Sequence, residues 1–505
     1  METEKINPEL ASRLEKNGVE LDRVLRFLDD LNAGKFGEQT GGGPYTVPDI
    51  AHPSILDIPS LSSRTMSLRE ARARFSELGI PVSPESLSGS SGGNITFSRT
   101  ALETIGTYLY PRTAFGFLNG GAASSYADIK KNSALSDDLL VAFRTEFDLM
   151  AGLCRGKPKG ITPAYINEDG SPGYSFQLLK FRMLLAHKAR YAALAGTVPD
   201  LLLPAFQMTS VHTDGAIAAA MRDYAQDPLL TGLAGKLGCA PVDIRTGVQP
   251  MMAAITHSSE GLPRRVFDRA YGQENTGLPI PGGHGQNFEI LAPVYRELHK
   301  KGIRYLWLGN IDNMGYTMNP VMLAVFALSG KDAAFETAFR TPMDIKGGVL
   351  VAGPDGRMTC ADIGPAIRAQ DVLAFEAAGK TILFNCGIGL FDLDRLVPQL
   401  ESLPYRIPLR ITDQDKDAGL YAQAEQITWE IIGLLDDPLF FAVHKTERFI
   451  AAKLLMETLS TSLPRTAAGV SDIGGVSLEL NRGLERLLET EYLLRKSGNR
   501  WIPAE

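Results

Sequence analysis

Cysteine is scarce in this chain: four residues among 505, at Cys154, Cys239, Cys360 and Cys386, with no Cys-x-x-Cys pair. We therefore expect neither a disulfide framework nor a cysteine-rich zinc site. No segment approaches the roughly 18 consecutive apolar residues of a membrane span, and the first residues lack the pattern of a secretory signal. These absences favour a cytoplasmic protein with reduced thiols.

The chain also has no excess of positive charge. It contains 51 basic and 58 acidic residues, with a net charge of −7 and an isoelectric point near 5.7. A general positive field, which drives non-specific binding to nucleic acids and anionic membranes, is therefore absent. We expect neither a nucleic acid nor a membrane as a partner, although a local basic pocket is compatible with these numbers.

Three common catalytic motifs are missing or out of place. The chain has no G-x-x-x-x-G-K-[ST] loop and no G-x-G-x-x-G fingerprint. The G-x-S-x-G match at residues 89–93 follows Pro84-Glu85-Ser86 rather than an apolar strand, so we interpret it as a turn. The histidines show no spacing typical of zinc ligands. P-loop, dinucleotide-binding, hydrolase and zinc-enzyme functions therefore lose their usual support.

Short apolar segments alternate with helical patterns through the middle of the chain, which is typical of an α/β fold with a largely parallel sheet. We predict a helical and extended region over 1–100, an α/β domain over 101–415 and a mainly helical region over 416–505. An apolar stripe from Leu480 to Leu494 indicates a helix in the last region. The clearest predicted strands cover 113–118, 201–208, 303–308 and 349–352, the last turning through 353–356 into a second strand.

Two of these strands end in segments suited to ligand binding, because open α/β sheets bind ligands beyond the carboxyl ends of their strands. The first strand continues into Asn119-Gly120-Gly121, where a bare backbone can approach a base or a phosphate. The strand over 303–308 leads into Gly309-Asn310-Ile311-Asp312-Asn313, where the Asp312 carboxylate can hold Mg²⁺ together with substrate phosphates. Tight turns and a helix N-cap at Asp312 are the structural alternatives.

Two lysines and one histidine lie beside turn or apolar residues. Lys159 belongs to Gly-Lys-Pro-Lys-Gly, Lys453 follows Arg448-Phe449, and His284 lies within Pro-Gly-Gly-His-Gly. A lysine in such a setting is less well solvated than usual and can bind a phosphate, whereas most lysines are solvated surface residues. Each of these segments is weak support for a site when it is taken alone.

Taken in chain order, the segments resemble the UDP-sugar pyrophosphorylase superfamily, which includes UTP–glucose-1-phosphate uridylyltransferases and UDP-N-acetylglucosamine pyrophosphorylases. Residues 305–315, containing Asn310-Ile311-Asp312-Asn313, are the best match. The resemblance extends over about residues 113–455. The other matching segments are Leu118-Asn119-Gly120-Gly121, Pro158-Lys159-Gly160, Met208-Thr209-Ser210, Gln249, Pro281 to Gly285, Asp344-Ile345-Lys346-Gly347-Gly348, Phe384-Asn385, and Arg448-Phe449 with Lys453.

The resemblance implies a mixed, mostly parallel Rossmann-like sheet flanked by helices. It also implies Mg²⁺-dependent, reversible formation of UDP-sugar and pyrophosphate from UTP and a sugar-1-phosphate, with glucose-1-phosphate favoured. Asp312 would then hold the metal, Lys159 would bind the triphosphate, and Lys453 would bind the phosphates at the reacting centre. The implied nucleotide-binding residues are Leu118, Gly120, Gly121, Gln249 and Gly283, and those that bind the sugar or its phosphate are His284, Asn310, Asp362, Asn385 and Lys346.

The chain departs from the family pattern at several positions, which leaves alternatives open. Residues 123–125 are Ala-Ser-Ser where the family has Gly-Thr and then a small or basic residue. A longer segment separates Gly121 from the Pro-Lys pair, so Lys130 and Lys131 are rivals of Lys159 for the triphosphate. Asp362 stands where the family has a sugar-facing glutamate. A nucleotide-sugar sensor without catalysis, or a transferase for another nucleotide or sugar, is the alternative function.

Overall fold

The computed structural model describes residues 6–37, 45–123, 126–133, 136–341, 344, 346–464, 466 and 474–504. Its strands are β1 (Ile55–Asp57), β2 (Ser63–Ser67), β3 (Ser90–Ser91), β4 (Asn94–Ser98), β5 (Thr113–Leu118), β6 (Ala205–Ser210), β7 (Ile244–Gln249), β8 (Met252–Ala253), β9 (Ile255–Thr256), β10 (Pro279–Ile280), β11 (Tyr305–Asn310), β12 (Ala333–Phe339), β13 (Gly348–Ala352), β14 (Met358–Asp362), β15 (Leu383–Asp392), β16 (Leu409–Lys416), β17 (Gly419–Gln426), β18 (Leu439–Val443), β19 (Leu494–Ser497) and β20 (Arg500–Pro503).

Several helices begin at side chains that cap the first turn, because an oxygen there accepts a backbone N–H that has no partner inside the helix. Asn7, Ser67, Ser98 and Ser175 act in this way. The helices are α1 (Pro8–Lys16), α2 (Leu21–Asn32), α3 (Leu68–Leu78), α4 (Pro84–Leu87), α5 (Arg99–Tyr108), α6 (Ile129–Ser133), α7 (Asp137–Ala142), α8 (Arg144–Cys154), α9 (Phe176–Ala195), α10 (Asp214–Tyr224), α11 (Pro228–Leu237), α12 (Asn287–Ile290), α13 (Ala292–Lys300), α14 (Pro320–Ser329), α15 (Ala369–Ala377), α16 (Leu393–Leu396), α17 (Leu403–Arg406), α18 (Lys445–Arg448), α19 (Leu455–Ser462) and α20 (Gly474–Thr490).

The central sheet runs in the order β7-β6-β5-β11-β15-β12-β18-β1. The pairs β7–β6, β6–β5, β5–β11, β12–β18 and β18–β1 are parallel, and β15 is antiparallel to both of its neighbours. Side chains on both faces of β5 and β11 are buried under helices, which explains why these strands are almost continuously apolar. The predicted mixed, mostly parallel sheet flanked by helices is confirmed.

Both ends of the chain contribute strands to this sheet. Strand β1 pairs with β18, so the segments 1–100 and 416–505 each supply one strand of it. The strand predicted over 113–118 coincides with β5, and 349–352 falls within β13, which pairs with β14 across the predicted turn. The stripe ending at Leu494 is longer than the helix: α20 ends at Thr490, and Leu494 begins the β19–β20 hairpin.

Apolar cores pack against the two faces of the sheet. One contains helix α14, whose residues 320–328 are all buried, together with α5 and α9. The other is formed by α13, α16 and the segment around Trp429. Across the described ranges, no helix combines the length and the apolar character needed to cross a bilayer. The cores hold the strands rigidly, and the loops beyond their carboxyl ends are therefore fixed in position.

Candidate active site

Neighbouring parallel strands end together at one edge of the sheet. In the register of β5 and β11, Leu118 lies opposite Asn310, and in that of β5 and β6 it lies opposite Met208. Strand β7 is in register with β6, so that Gln249 lies opposite Ser210. Because these strands are adjacent and parallel, the residues that follow them meet in one place, at the edge where α/β sheets bind ligands.

The first group of predicted residues at this edge consists of Gly120, Gln249 and Gly283, which we call the uridine cluster after the role that the resemblance predicts for them. The Gln249 side-chain amide donates to the Gly283 carbonyl at 2.8 Å and to Gln286 Oε1 at 2.9 Å. A Cβ on Gly120 would lie 3.7 Å from Gln249 Oε1, and Ser210 Oγ donates to the Gly120 carbonyl at 3.0 Å. The structure therefore brings the three residues together around one side-chain amide.

A buried amide network that sequence reasoning did not identify lies below the glycine loop. Asn119 Nδ2 donates to the side-chain oxygens of Gln177 and Gln207, each at 3.1 Å. Gln207 in turn donates to Thr246 Oγ1 at 3.1 Å. All three amide side chains are at least 98% buried. The only available signal was their occurrence within apolar segments, where an amide needs a partner.

The charged centre of the site is the ion pair of Lys159 and Asp312. The Lys159 ammonium lies 2.6 Å from Asp312 Oδ2, donates to the Ala452 carbonyl, and stands 4.9 Å from the centre of the Tyr126 ring. The Lys159 backbone N–H donates to the Gly121 carbonyl at 3.0 Å. Lys159 and Asp312, distant in sequence, thus meet beside the glycine loop with side chains only 13% and 20% exposed.

The backbone of Lys453 lies beside the Lys159–Asp312 pair, because the preceding residue, Ala452, contacts both members of that pair. The Ala452 N–H donates to the Asp312 carbonyl at 3.4 Å, and the Lys453 side chain itself is exposed. The half-buried Glu457 carboxylate accepts the N–H of Lys453 at 2.7 Å, which fixes the backbone there. Burial raises the pKa of Glu457. The rival lysines, Lys130 and Lys131, are exposed on the short helix α6.

A buried lysine that the sequence analysis did not select braces the loop that contains Asp312. Lys180 is fully buried, and its ammonium donates to the carbonyls of Asn313 and Tyr316 at 2.7 and 2.6 Å. The Lys180 ammonium also donates to the Tyr492 hydroxyl oxygen at 3.0 Å, and that hydroxyl in turn donates to the Met314 carbonyl at 2.7 Å. Burial lowers the pKa of Lys180. This loop is therefore anchored to both α9 and the C-terminal segment.

Asn310, Asn385 and Asp362 form a second group, which we call the sugar cluster after the role that the resemblance predicts for them. A Cβ on Gly387 would lie 3.1 Å from Asn310 Nδ2, and the Gly387 N–H donates to Asn385 Oδ1 at 2.9 Å. A Cβ on Gly348 would lie 3.7 Å from Asn385 Cβ and 3.4 Å from Asp362 Oδ1. Asn310, Asn385 and Asp362 therefore line one continuous surface.

Arg410 holds the charged part of the sugar cluster and was missed from the sequence. It donates to Asp362 Oδ2 at 2.6 Å and to Glu430 Oε1 at 2.7 Å. The carboxylates raise the pKa of Arg410 against the opposing effect of burial. Burial raises the pKa of Glu430, whose Oε2 has no partner among the described residues. Nothing in the hydrophilic segment around Arg410 indicated that it would reach Asp362.

His284 is neutral and has a defined tautomer. Burial, followed by the nearby charge of Arg410, lowers its pKa to about 4. The Thr428 N–H donates to Nδ1 at 3.2 Å, so the ring proton resides on Nε2. The Trp429 ring lies 6.2 Å away, centre to centre. His284 can therefore donate a hydrogen bond to a substrate oxygen without carrying charge.

Two of the predicted features are not part of these clusters. Lys346 is exposed, and Ile345 before it lies outside the described residues. Ala123 is buried, so its side chain does not face a ligand, whereas Ser124 and Ser125 of the altered loop lie outside the described residues. Within the described ranges, no group of three or more His, Cys, Asp or Glu side chains is arranged to hold a metal.

The chain is similar in sequence to known proteins. A model of the UTP–glucose-1-phosphate uridylyltransferase family matches residues 199–426. The UTP–glucose-1-phosphate uridylyltransferase of Encephalitozoon cuniculi is 28% identical over 125 residues, 24% of this chain and 25% of that protein. The chain thus aligns with about a quarter of the length of the curated relatives it matches.

Solved structures share the fold over most of the chain. The UDP-N-acetylglucosamine pyrophosphorylase of Trypanosoma brucei, solved with an inhibitor, has a TM-score of 0.57 at 15% identity, covering 95% of this chain and 91% of that one. A mutant UDP-glucose pyrophosphorylase of Leishmania major, solved with UDP-glucose, has a TM-score of 0.51 at 16% identity, covering 89% and 78%. The chain is therefore similar to UTP–glucose-1-phosphate uridylyltransferases in the sequence of residues 199–426, and to UDP-sugar pyrophosphorylases in its fold.

Proposed function

We propose that the protein is a uridylyltransferase that forms a UDP-sugar and pyrophosphate from UTP and a sugar-1-phosphate, with glucose-1-phosphate as the favoured sugar. The observation on which this rests most is the Lys159–Asp312 ion pair, 2.6 Å long, beside the uridine cluster. The names of the curated relatives, UTP–glucose-1-phosphate uridylyltransferases, support the same activity.

In the proposed reaction an oxygen of the sugar-1-phosphate attacks the α-phosphorus of UTP. A new phosphorus–oxygen bond forms as the bond to the β-phosphate oxygen breaks, and pyrophosphate leaves from the opposite side. Because the attacking phosphate is already ionised near neutral pH, repulsion between the two anions is the main obstacle rather than a missing base. Lys159 and Lys453 would lower this repulsion, and the uridine cluster would orient the base.

Mg²⁺ fits this site only in company with the substrate. Asp312 is a lone carboxylate already paired with Lys159, and no all-protein cage exists among the described residues. Magnesium commonly binds through one or two carboxylates plus substrate phosphates, which matches this donor set. When bound, the ion would neutralise phosphate charge. Lys159, released from Asp312, would then be free to bind the triphosphate.

The sugar cluster would bind the second substrate. Asn310, Asn385 and Asp362 present amides and a carboxylate to the sugar hydroxyls, which are both donors and acceptors. The Nε2–H of neutral His284 would donate to the sugar or its phosphate. Lys346, which is exposed, would contribute to phosphate binding from the rim of the site.

A pyrophosphate-release assay with UTP, Mg²⁺ and a panel of sugar-1-phosphates tests this function. We expect release with at least one sugar-1-phosphate, fastest with glucose-1-phosphate, and the reverse reaction when UDP-glucose and pyrophosphate are supplied. Omission of Mg²⁺ should stop both directions. Asp312→Ala should be inactive under the same conditions, and a thermal unfolding measurement on the same variant distinguishes lost activity from lost fold.

Two outcomes would contradict the proposal. Binding of UTP and UDP-sugar without any pyrophosphate release would instead indicate a nucleotide-sugar sensor. Faster turnover with a different nucleoside triphosphate in the same assay would indicate a transferase for another nucleotide. Near-normal activity of Asp312→Ala would remove Asp312 from the metal site.

A further inference from the structure

A second cavity lies on the far side of the loop that contains Gly283. Its volume is about 360 Å³, and it opens between helix α2 and the helices α13 and α17. Gly282, Gln286 and Gln426 line it from the side of the uridine cluster. Gln286 is also the acceptor for Gln249, so one side chain contacts both the cavity and the uridine cluster. The proposed uridylyl transfer leaves this cavity without a role.

The cavity contains cations that the protein does not fully neutralise. Arg23 is 91% buried, and its Nη2 pairs with Glu289 at 2.6 Å, but its Nη1 has no partner among the described residues. Arg26, on the same helix, is exposed and forms no ion pair within the described part of the chain. A buried donor without an acceptor is costly, so it indicates either strain or a missing ligand.

The acidic residues around the cavity are already engaged. Asp30 pairs with Lys35 at 2.7 Å and accepts the Tyr405 hydroxyl at 3.0 Å, and these contacts lower its pKa. Glu401 pairs with Arg296 at 3.5 Å, although its side chain is 92% exposed. Neither carboxylate is paired with Arg23 or Arg26 in the described structure. An anion that enters the cavity could therefore accept hydrogen bonds from Arg23 and Arg26 without displacing Asp30 or Glu401.

The opposite wall of the cavity is aromatic. The rings of Phe27 and Phe36 lie 5.2 Å apart, and those of Phe36 and Tyr405 lie 5.6 Å apart, in a continuous tilted row. Met252 and Leu409 complete the apolar surface. Flat rings pack favourably on such a surface, whereas a simple inorganic anion would leave it exposed to water.

We propose that this cavity is a binding site for an aromatic anion of nucleotide size, with its ring on the Phe27–Phe36–Tyr405 row and its phosphate on Arg23 and Arg26. The volume falls within the roughly 300–1,000 Å³ range of small-molecule sites. The occupant would contact Gln286 and would therefore alter the hydrogen bond that Gln249 donates to the Gln286 side chain. The site is separate from the active centre, and its occupancy does not depend on the proposed turnover.

Isothermal titration calorimetry of the full chain with AMP tests the proposal. A purine does not suit a cluster that reads uracil, so AMP reports on the second cavity. We expect saturable binding of AMP, and binding at least tenfold weaker for adenosine and for inorganic phosphate. Arg26→Ala should raise the dissociation constant of AMP about tenfold, because a hydrogen bond from a charged donor is lost. Arg26→Lys should retain most of the affinity.

Matched variants distinguish this cavity from the active site and from non-specific attraction. Arg222→Ala removes an exposed arginine on α10 and should leave AMP binding unchanged, as should Lys159→Ala in the active site. Loss of AMP binding in Lys159→Ala, or equal affinity for AMP and adenosine, would overturn the proposal. Unchanged AMP affinity in Arg26→Ala, with an unaltered thermal unfolding midpoint, would also overturn it.

Discussion

The two halves of the candidate active site are built from different interactions. The uridine cluster consists of glycines, backbone carbonyls and neutral amides, with Gln249 donating to the Gly283 carbonyl at 2.8 Å. The sugar cluster contains a chain of charges in which Arg410 joins Asp362 and Glu430 at 2.6 and 2.7 Å. One half therefore presents fixed neutral dipoles, and the other presents charges that balance one another.

This difference predicts which half tolerates change. Removal of a neutral amide loses one or two hydrogen bonds and leaves only neutral partners unpaired. Removing one member of a partly buried charge network leaves the remaining charges uncompensated, which costs more than the lost contact. Under the proposed function the Lys159–Asp312 pair, between the halves, would act on both substrates. We therefore expect the largest effect there and the smallest where only a neutral group is altered.

Lys159→Met should cause the largest loss of activity. The substitution keeps the length of the side chain but removes the charge that faces Asp312 and the phosphates. Loss of one electrostatic group of this kind typically lowers kcat by about 10²- to 10³-fold. The rate of pyrophosphate release at saturating concentrations of both substrates measures this loss of kcat. Lys130→Met, on the exposed helix α6, is the control and should retain normal kcat; the opposite ranking would make Lys130 the triphosphate lysine.

Arg410→Met should affect the sugar half alone. Without Arg410, Asp362 and Glu430 present uncompensated negative charge to an anionic substrate. We expect the KM for the sugar-1-phosphate to rise about 30-fold, the equivalent of about 2 kcal/mol, while the KM for UTP stays within about twofold. Arg368→Met, which breaks an exposed pair with Asp371, is the matched control. Equal increases in both KM values would mean that the halves are not separate.

Gly120 and Asp312 could be placed at one edge of the sheet from the sequence, because they follow the apolar strands β5 and β11. Gln249 ends β7, a largely polar strand that the sequence analysis did not predict, and it was expected only from the family resemblance. The pairing of Lys159 with Asp312 could not be predicted, because it depends on how the segment after α8 returns to the sheet. The structure places Lys159 against Asp312 and Lys130 on the short helix α6, and the choice of triphosphate lysine stays a prediction.

The sugar half could not be assembled from the sequence in the same way. Arg410 lies on β16, a strand of the small sheet β16-β17-β9, and reaches Asp362 on β14, which extends the central sheet. Such a contact depends on the packing of two separate sheets, which periodicity does not reveal. Lys180 was missed for a different reason: a lysine within a helix is normally solvated, and only tertiary packing buries it against carbonyl groups.

Gln249→Leu should give a smaller effect than Arg410→Met, and on the other substrate. The leucine has a similar volume but cannot donate to the Gly283 carbonyl or to Gln286. We expect the KM for UTP to rise about tenfold, with the KM for the sugar-1-phosphate unchanged, because a neutral hydrogen bond contributes about 1 kcal/mol and its partner is left unpaired. Gln273→Leu, at an exposed position, is the control. An unchanged KM for UTP would exclude Gln249 from uracil binding.

The smallest expected effect concerns pH and stability rather than catalysis. The pKa of His284 is about 4 in the folded protein, below the ordinary value near 6.5, so the unfolded chain binds the proton more readily. The free energy of unfolding should therefore carry no penalty from His284 above pH 6.5, and this penalty should grow as the pH falls towards 4. Because the ring is partly exposed, we expect a contribution of about 1 kcal/mol rather than the full effect of the shift.

Urea unfolding of wild type and His284→Gln at pH 7 and pH 4.5 isolates this contribution from that of the carboxylates, which titrate in both proteins. The glutamine variant should lose less stability between the two pH values, by about 1 kcal/mol, since it has no ring to protonate. Parallel losses would mean that the imidazole is already hydrated in the folded state. The sugar half would then bind its substrate through Arg410 and the neutral amides, with no contribution from a desolvated histidine.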